Sequence, residues 1–124
     1  LMLSGLIAAV MIHAHEPTEA LAWYERAFPS AKRVHIAELN FTFLQIGELR
    51  LEVVASDEKV RAGPAGTVVY WRVEDFESAL RELQGLGATL YRGPLDIEGD
   101  QVMCQVQDPW GNCIGIRGKR AQSL

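Results

Sequence analysis

Apolar and polar positions change period along this chain in an order that repeats. Residues 7–14 form an apolar-rich run suited to a strand. Glu16-Pro17 then opens a helix, with Pro17 at a position where its missing N–H costs nothing. Leu21, Tyr24, Ala27 and Phe28, with Ala20 beside them, recur at helical spacing and make one apolar stripe, which Pro29-Ser30 ends. Three runs with strand character follow, at residues 32–39, 41–46 and 49–55, the last two joined by a Gly47-Glu48 turn. Residues 57–66 carry charges together with Gly63, Pro64 and Gly66 and read as a linker. The order then begins again. Residues 67–73 are rich in β-branched and aromatic side chains, and Asp75 is placed to cap a helix. Phe76, Ala79, Leu80, Leu83 and Leu86 fall at helical spacing ahead of Gly87. Residues 88–92, a Gly93-Pro94 break, residues 102–107, the turn Asp108-Pro109-Trp110-Gly111-Asn112 and residues 113–117 complete the second set.

Each half therefore predicts strand–helix–strand–strand–strand. The halves also correspond by number: Ala20-Leu21 recurs as Ala79-Leu80 at an offset of 59, and Leu51-Glu52-Val53 meets Ile114-Gly115-Ile116 at an offset of 63. The four extra residues fit a longer loop in the second half. The expected organisation is one domain over residues 1–124, with repeat units at about 5–56 and 67–118. A fold made of two copies has a seam, and a seam is where a small-molecule site can form.

Composition narrows the classes. The 124 residues are 48% hydrophobic and 23% charged, with a net charge of −4, enough apolar content for a core and no basic stripe for nucleic acid. The basic cluster Arg117, Lys119 and Arg120 reads as a solvated tail. Residues 1–12 are apolar but too few to span a bilayer and lack the basic flank of an export signal, so they read as a first strand and the protein as cytoplasmic, with no membrane partner. Cys104 and Cys113 flank a predicted hairpin and could approach each other across it. In the absence of an export signal they are expected to stay reduced.

Ala20-Leu21-Ala22-Trp23-Tyr24 in the first helix, Val73-Glu74-Asp75 leading into Ala79-Leu80, Leu86-Gly87-Ala88-Thr89 at the second helix exit, and the Asp108–Asn112 turn together resemble the vicinal oxygen chelate superfamily, which includes glyoxalase I, extradiol dioxygenases, and fosfomycin- and bleomycin-resistance proteins. The resemblance covers nearly the whole chain. It implies an α+β fold in which two βαβββ units form a curved mixed sheet around a cavity, and assembly as a homodimer. It also implies four repeat-related metal-ligand positions, which fall here on Ala9, Glu52, Val68 and Gly115. Only Glu52 has a donor side chain, whereas a catalytic divalent ion usually takes about three protein ligands. His13 with Glu52 is the other conceivable metal pair, and nickel, zinc or manganese the ion it would hold. The expectation is no metal cofactor.

In such a sheet, alternation puts Val10, Ile12, Leu51, Val53, Trp71, Val73, Ile114 and Ile116 toward the helices. The other face carries Met11, His13, Arg50, Glu52, Tyr70, Arg72, Cys113, Gly115 and Arg117. From it the candidate ligand-binding residues are Met11, His13, Arg50, Glu52, Tyr70 and Arg72, joined by Trp110 from the turn. His13 and Arg72 occupy equivalent positions, offset by 59, and Glu52 near them would orient a polar ligand or form a structural ion pair. Glu52 is the only candidate for a catalytic group. Which face of residues 102–107 looks inward is left open by the alternation of Val102, Cys104 and Val106 with Met103, Gln105 and Gln107. The leading function is metal-independent binding or sequestration of a small organic molecule. A metal-dependent lyase or isomerase of glyoxalase type, and a structural or regulatory dimer with a vestigial cavity, are the alternatives.

Overall fold

A computed structural model describes residues 7–66 and 68–121. Residues 1–6 of the expected first strand and Thr67, the expected start of the second unit, lie outside the described residues. The chain divides into two compact units, Leu1–Arg61 and Ala62–Leu124. The first contains β1 (Ala9–Ala14), α1 (Pro17–Ala27), β2 (Lys32–Ile36), β3 (Phe41–Ile46) and β4 (Leu49–Ala55). The second contains β5 (Tyr70–Val73), α2 (Phe76–Gly85), β6 (Thr89–Ile97), β7 (Gln101–Gln107) and β8 (Cys113–Lys119). Each unit is a four-stranded sheet, ordered β1-β4-β3-β2 in one and β5-β8-β7-β6 in the other. The first strand of each unit runs parallel to the last, and the remaining pairs are antiparallel. The α+β, twice-repeated βαβββ architecture is thus present. Strand register reproduces the offsets residue by residue: Met11 lies opposite Glu52 as Tyr70 lies opposite Gly115.

Each sheet buries one face under its own helix. Ala20, Leu21, Trp23 and Tyr24 of α1 are buried, and the helix packs chiefly on β4. Leu44 and Leu51, side by side on β3 and β4, are fully buried. In the second unit α2 buries Phe76 and Leu83 and packs mainly on β8, where Ile114 and Ile116 are buried. Full burial stabilises by roughly 1.5–3 kcal/mol for each large side chain of this kind. Asp75 accepts a hydrogen bond from the Ser78 amide at 3.1 Å and caps the start of α2. At its end Gly87 takes a left-handed φ of 100°. That lets the Gly87 and Ala88 amides reach the carbonyls of Gln84 and Leu83, both at 3.0 Å.

The structure corrects the local reading in several places. The run at 32–39 leaves the sheet at Ile36 and ends as a 3₁₀ turn over Ala37–Leu39, because Asn40 adopts a left-handed conformation (φ 47°) and donates its amide to Ala37 O. Gly93-Pro94 does not break the strand. β6 runs through it with register shifts on either side of Arg92. An edge strand tolerates this, since bulges absorb the extra residues and Pro94 has no N–H to lose from a ladder. Val102, Cys104 and Val106 are buried while Met103, Gln105 and Gln107 are not, so the open question about β7 is answered. Cys104 and Cys113 do not approach each other. Cys104 lies opposite Ile116 and Cys113 opposite Gln107, on opposite faces of the sheet by alternation, and both are free thiols. Arg117 is not part of a solvated tail, because β8 extends to Lys119 and holds Arg117 half-buried. No helix among the described residues is long and apolar enough to cross a membrane.

Candidate functional site

On the first unit the sheet face opposite α1 carries four of the expected site residues. Met11 and Glu52 are direct neighbours, and His13 lies opposite Val54. Glu52 does not stand open. Arg50, two residues earlier on the same strand, places Nη2 3.0 Å from Glu52 Oε2, with the carboxylate side chain 14% exposed. The Arg50 guanidinium also lies over the Phe43 ring, its carbon 3.8 Å from the centroid. The cation is held between a carboxylate and an aromatic face, its Nε buried without a hydrogen-bond partner among the described residues, and the carboxylate beside it has one lone-pair direction already taken. Phe43, Arg50 and Glu52 therefore act as one packed group, of which the sequence reading included Arg50 and Glu52 but not Phe43.

The equivalent row of the second unit has different chemistry. Tyr70 on β5, Gly115 on β8 and Gln105 on β7 are consecutive neighbours. The Tyr70 ring lies directly over Gly115, so that a Cβ at that position would sit 2.5–2.7 Å from ring atoms. A glycine is required here for space. Gln105 Nε2 donates to Tyr70 Oη at 2.8 Å, and Gln105 Oε1 accepts from Cys113 Sγ at 3.2 Å. The amide is thus oriented at both ends, and because Tyr70 Oη accepts from Gln105 its own O–H remains able to donate. Burial and, to a smaller degree, Asp108 push the Cys113 thiol upward from its ordinary value. Gln105 was not among the expected site residues. Its signal was its place on the polar face of β7, which sequence alone left unassigned.

Beside this row the second unit opens a cleft of about 410 Å³, lined by Tyr70, Arg72, Glu98, Gly99, Gln101 and Arg117. That volume lies within the usual range of small-molecule sites. Arg72 and Arg117 are register partners on the parallel strands β5 and β8. Arg117 Nη2 is 3.2 Å from Glu98 Oε1, a carboxylate supplied from the connection between β6 and β7. Tyr70 and Arg72 are thereby brought into one cleft. Trp110 does not line it and sits half-buried in the turn before β8. That turn is organised by Asp108, which is 4% exposed. Its carboxylate accepts the Trp110 and Asn112 amides, both at 2.8 Å, and the Asn112 side-chain amide at 3.2 Å. Asn112 in turn accepts the Gly63 amide at 3.0 Å.

The donor set does not fit a resident divalent metal. Of the four positions where the resemblance places ligands, Ala9, Val68 and Gly115 have no donor side chain, Gly115 is overlain by Tyr70, and Glu52 is paired with Arg50. Among the described residues no three His, Cys, Asp or Glu side chains are grouped to hold an ion.

Known structures carry the same fold. The chain is similar to an integron cassette protein from the mobile metagenome of V. cholerae (17% identity, 95% of this chain and 98% of that one, TM-score 0.72). It is similar to the fosfomycin resistance protein FosX of Mesorhizobium loti (16%, 99% and 96%, 0.69). It also resembles a glyoxalase/bleomycin resistance protein/dioxygenase family enzyme of Burkholderia phytofirmans (18%, 90% and 96%, 0.70). No curated protein sequence matches the chain significantly. The sequence profile that does match runs over residues 6–116, spanning β1 to the middle of β8 and thus both repeats, and by that match the chain belongs to the Glyoxalase/Bleomycin resistance protein/Dioxygenase superfamily.

Proposed function

We propose that this protein binds a small organic molecule without a metal, and that the cleft of the second unit takes part in holding it. One observation carries this reading: Gly115, one of the three ligand positions without a donor, is built over by Tyr70, which with Arg72 instead lines a cleft of ligand size. Met11, His13, Arg50 and Glu52 remain candidates for a ligand contact on the sheet face of the first unit, with the Arg50–Glu52 pair as its polar anchor, and Trp110 remains a candidate within the second. Sequestration of a drug-like compound is consistent with the likeness to fosfomycin resistance proteins. Exposed Leu90, Tyr91 and Leu95 along the edge strand β6 support a homodimer, since apolar side chains on an open edge are stabilised by a partner. Two free thiols support a reducing, cytoplasmic setting.

Metal analysis of protein purified without chelator tests the first half of the reading. Sub-stoichiometric nickel, zinc and manganese are expected. Near-stoichiometric metal that is lost in Glu52→Ala would overturn it in favour of a glyoxalase-type lyase or isomerase. A thermal-shift panel of drugs and metabolites tests the second half. A ligand at 100 times its dissociation constant stabilises by about 2.7 kcal/mol, and no shift from any compound would favour a vestigial cavity.

A further inference from the structure

The charges of the cleft define what it takes. Arg72 and Arg117 face each other across neighbouring strands, an arrangement that costs stability when both carry the same charge. Arg117 is answered by Glu98. Among the described residues Arg72 has no ion-pair or hydrogen-bond partner, and it is exposed. The lining therefore holds two guanidinium groups and one carboxylate, an excess of one positive charge, together with Tyr70, whose hydroxyl accepts from Gln105 and keeps its own O–H to donate. The recess lined by Asp96, Asp100, Lys119 and Arg120 differs in this respect. Its two cations and two anions balance, with Arg120 Nη2 on Asp96 Oδ1 at 2.9 Å.

From this excess we propose that the cleft binds the carboxylate of a small monoanionic organic acid, with Arg72 as the principal cation, Arg117 shared between ligand and Glu98, and the Tyr70 hydroxyl as a neutral donor. The inference rests on the small-molecule reading above and supplies the ligand's class. A guanidinium is matched to a carboxylate by its planar fork of donors. A single negative charge completes the balance, whereas a dianion would leave the cleft negative. Gln101, the remaining polar side chain of the lining, is available to the body of the ligand.

The test is titration of the full chain with benzoate and phenylacetate, with their neutral amides benzamide and phenylacetamide, and with phenylphosphonate at pH 8. It is followed by calorimetry and by the arginine side-chain NMR signals. The acids are expected to bind at least tenfold tighter than their amides and to shift the Arg72 and Arg117 signals. Arg72→Gln should weaken acid binding about tenfold, the scale of one charge-assisted hydrogen bond, and weaken amide binding less. Glu98→Gln should tighten acid binding, since it removes the competing carboxylate. Circular dichroism establishes that the variants are folded, which is expected for exposed side chains. Equal binding of acid and amide would overturn the carboxylate proposal while leaving small-molecule binding intact. Tighter binding of phenylphosphonate than of benzoate would overturn the charge count. Acid binding that is unaltered in Arg72→Gln would remove the cleft as its location. Failure of every acid to bind would overturn this inference, while the reading beneath it falls only if the wider thermal-shift panel is also blank.

Discussion

Gly115→Ala is the most direct probe of the arrangement that replaces a ligand position with an aromatic ring. The new methyl would lie 2.5–2.7 Å from Cδ1, Cε1 and Cγ of Tyr70. Cγ is one bond from the tyrosine Cβ, so spinning the ring about its own axis does not clear the contact. The side chain must change its first torsion or the strands must part. Overpacking of this kind costs roughly 1–3 kcal/mol. Moving the ring also breaks the 2.8 Å bond from Gln105, worth about 1 kcal/mol. Replacing glycine by alanine restricts the unfolded chain and returns roughly 0.4–1 kcal/mol. The net expectation is a loss of about 1–3.6 kcal/mol, which for a chain of this length lowers Tm by about 4–14 °C. Urea unfolding and thermal melts measure it, and a double-mutant cycle isolates the cause. In a Tyr70→Ala background the methyl has room, so the cost of Gly115→Ala should largely vanish, giving a coupling above 1 kcal/mol or so between adjacent residues. If Gly115→Ala costs the same with and without the tyrosine ring, the steric account is wrong.

Three further outcomes are expected. Asp108→Ala leaves two amides and a side-chain amide of the β7–β8 turn without their acceptor. It should destabilise by about 2–4 kcal/mol and speed hydrogen exchange at Trp110 and Asn112, and unchanged exchange would argue against Asp108 as the organiser. Burial pushes the Cys104 thiol from 9.0 up to about 11. A proton that the unfolded chain releases first contributes stability that is complete below about pH 9 and lost as pH rises through 11, on the order of 2–3 kcal/mol. Urea midpoints at pH 8 and 10.5 should diverge in the wild type and much less in Cys104→Ala, and an identical pH dependence in both would refute the assignment. Alkylation by iodoacetamide at pH 8 should modify half-buried Cys113 well before buried Cys104, with mass mapping of the adducts as the check.

Where a single element's periodicity decides, sequence and structure agree. The apolar-rich run 41–46 and residues 49–55, which alternate over 49–53, coincide with β3 and β4. Asp75 marks the start of α2 because capping is a local bond. The departures arise where distant residues decide. Gly93-Pro94 reads as a break in isolation, yet it lies on an edge whose partner β7 accommodates the bulges. Arg117 looked like tail charge. Its role emerges only with strand order, which sets it opposite Arg72, and with the β6–β7 connection, which brings Glu98 from 19 residues away. Of the cleft residues, Tyr70 was placed by strand alternation and Arg72 by alternation and the repeat offset, and both line it. Gln105 was not placed, because a seven-residue strand with both faces partly apolar does not announce its orientation. The Arg50–Glu52 contact is between residues two apart on one strand, which alternation places on one face but does not require to touch.

The parallel pairing of first and last strands imposes an order on how each unit can form. Ala9 meets Arg50 and Tyr70 meets Gly115, so each ladder joins positions more than 40 residues apart. During synthesis β1 and α1 emerge well before β4, and β5 and α2 before β8. Until then the apolar stripe of each helix lacks its principal support, since α1 rests mainly on β4 and α2 on β8. Long-range closures of this kind are slow relative to hairpins. The β2–β3–β4 and β6–β7–β8 meanders can assemble from sequence neighbours, and the opening strand of each unit then docks onto a sheet already made. A ribosome-stalled chain ending before β8 would therefore hold a closed first unit and a second unit whose Tyr70 and Arg72 have no strand beside them, and it would acquire its arginine-lined cleft only with the final residues of the fold.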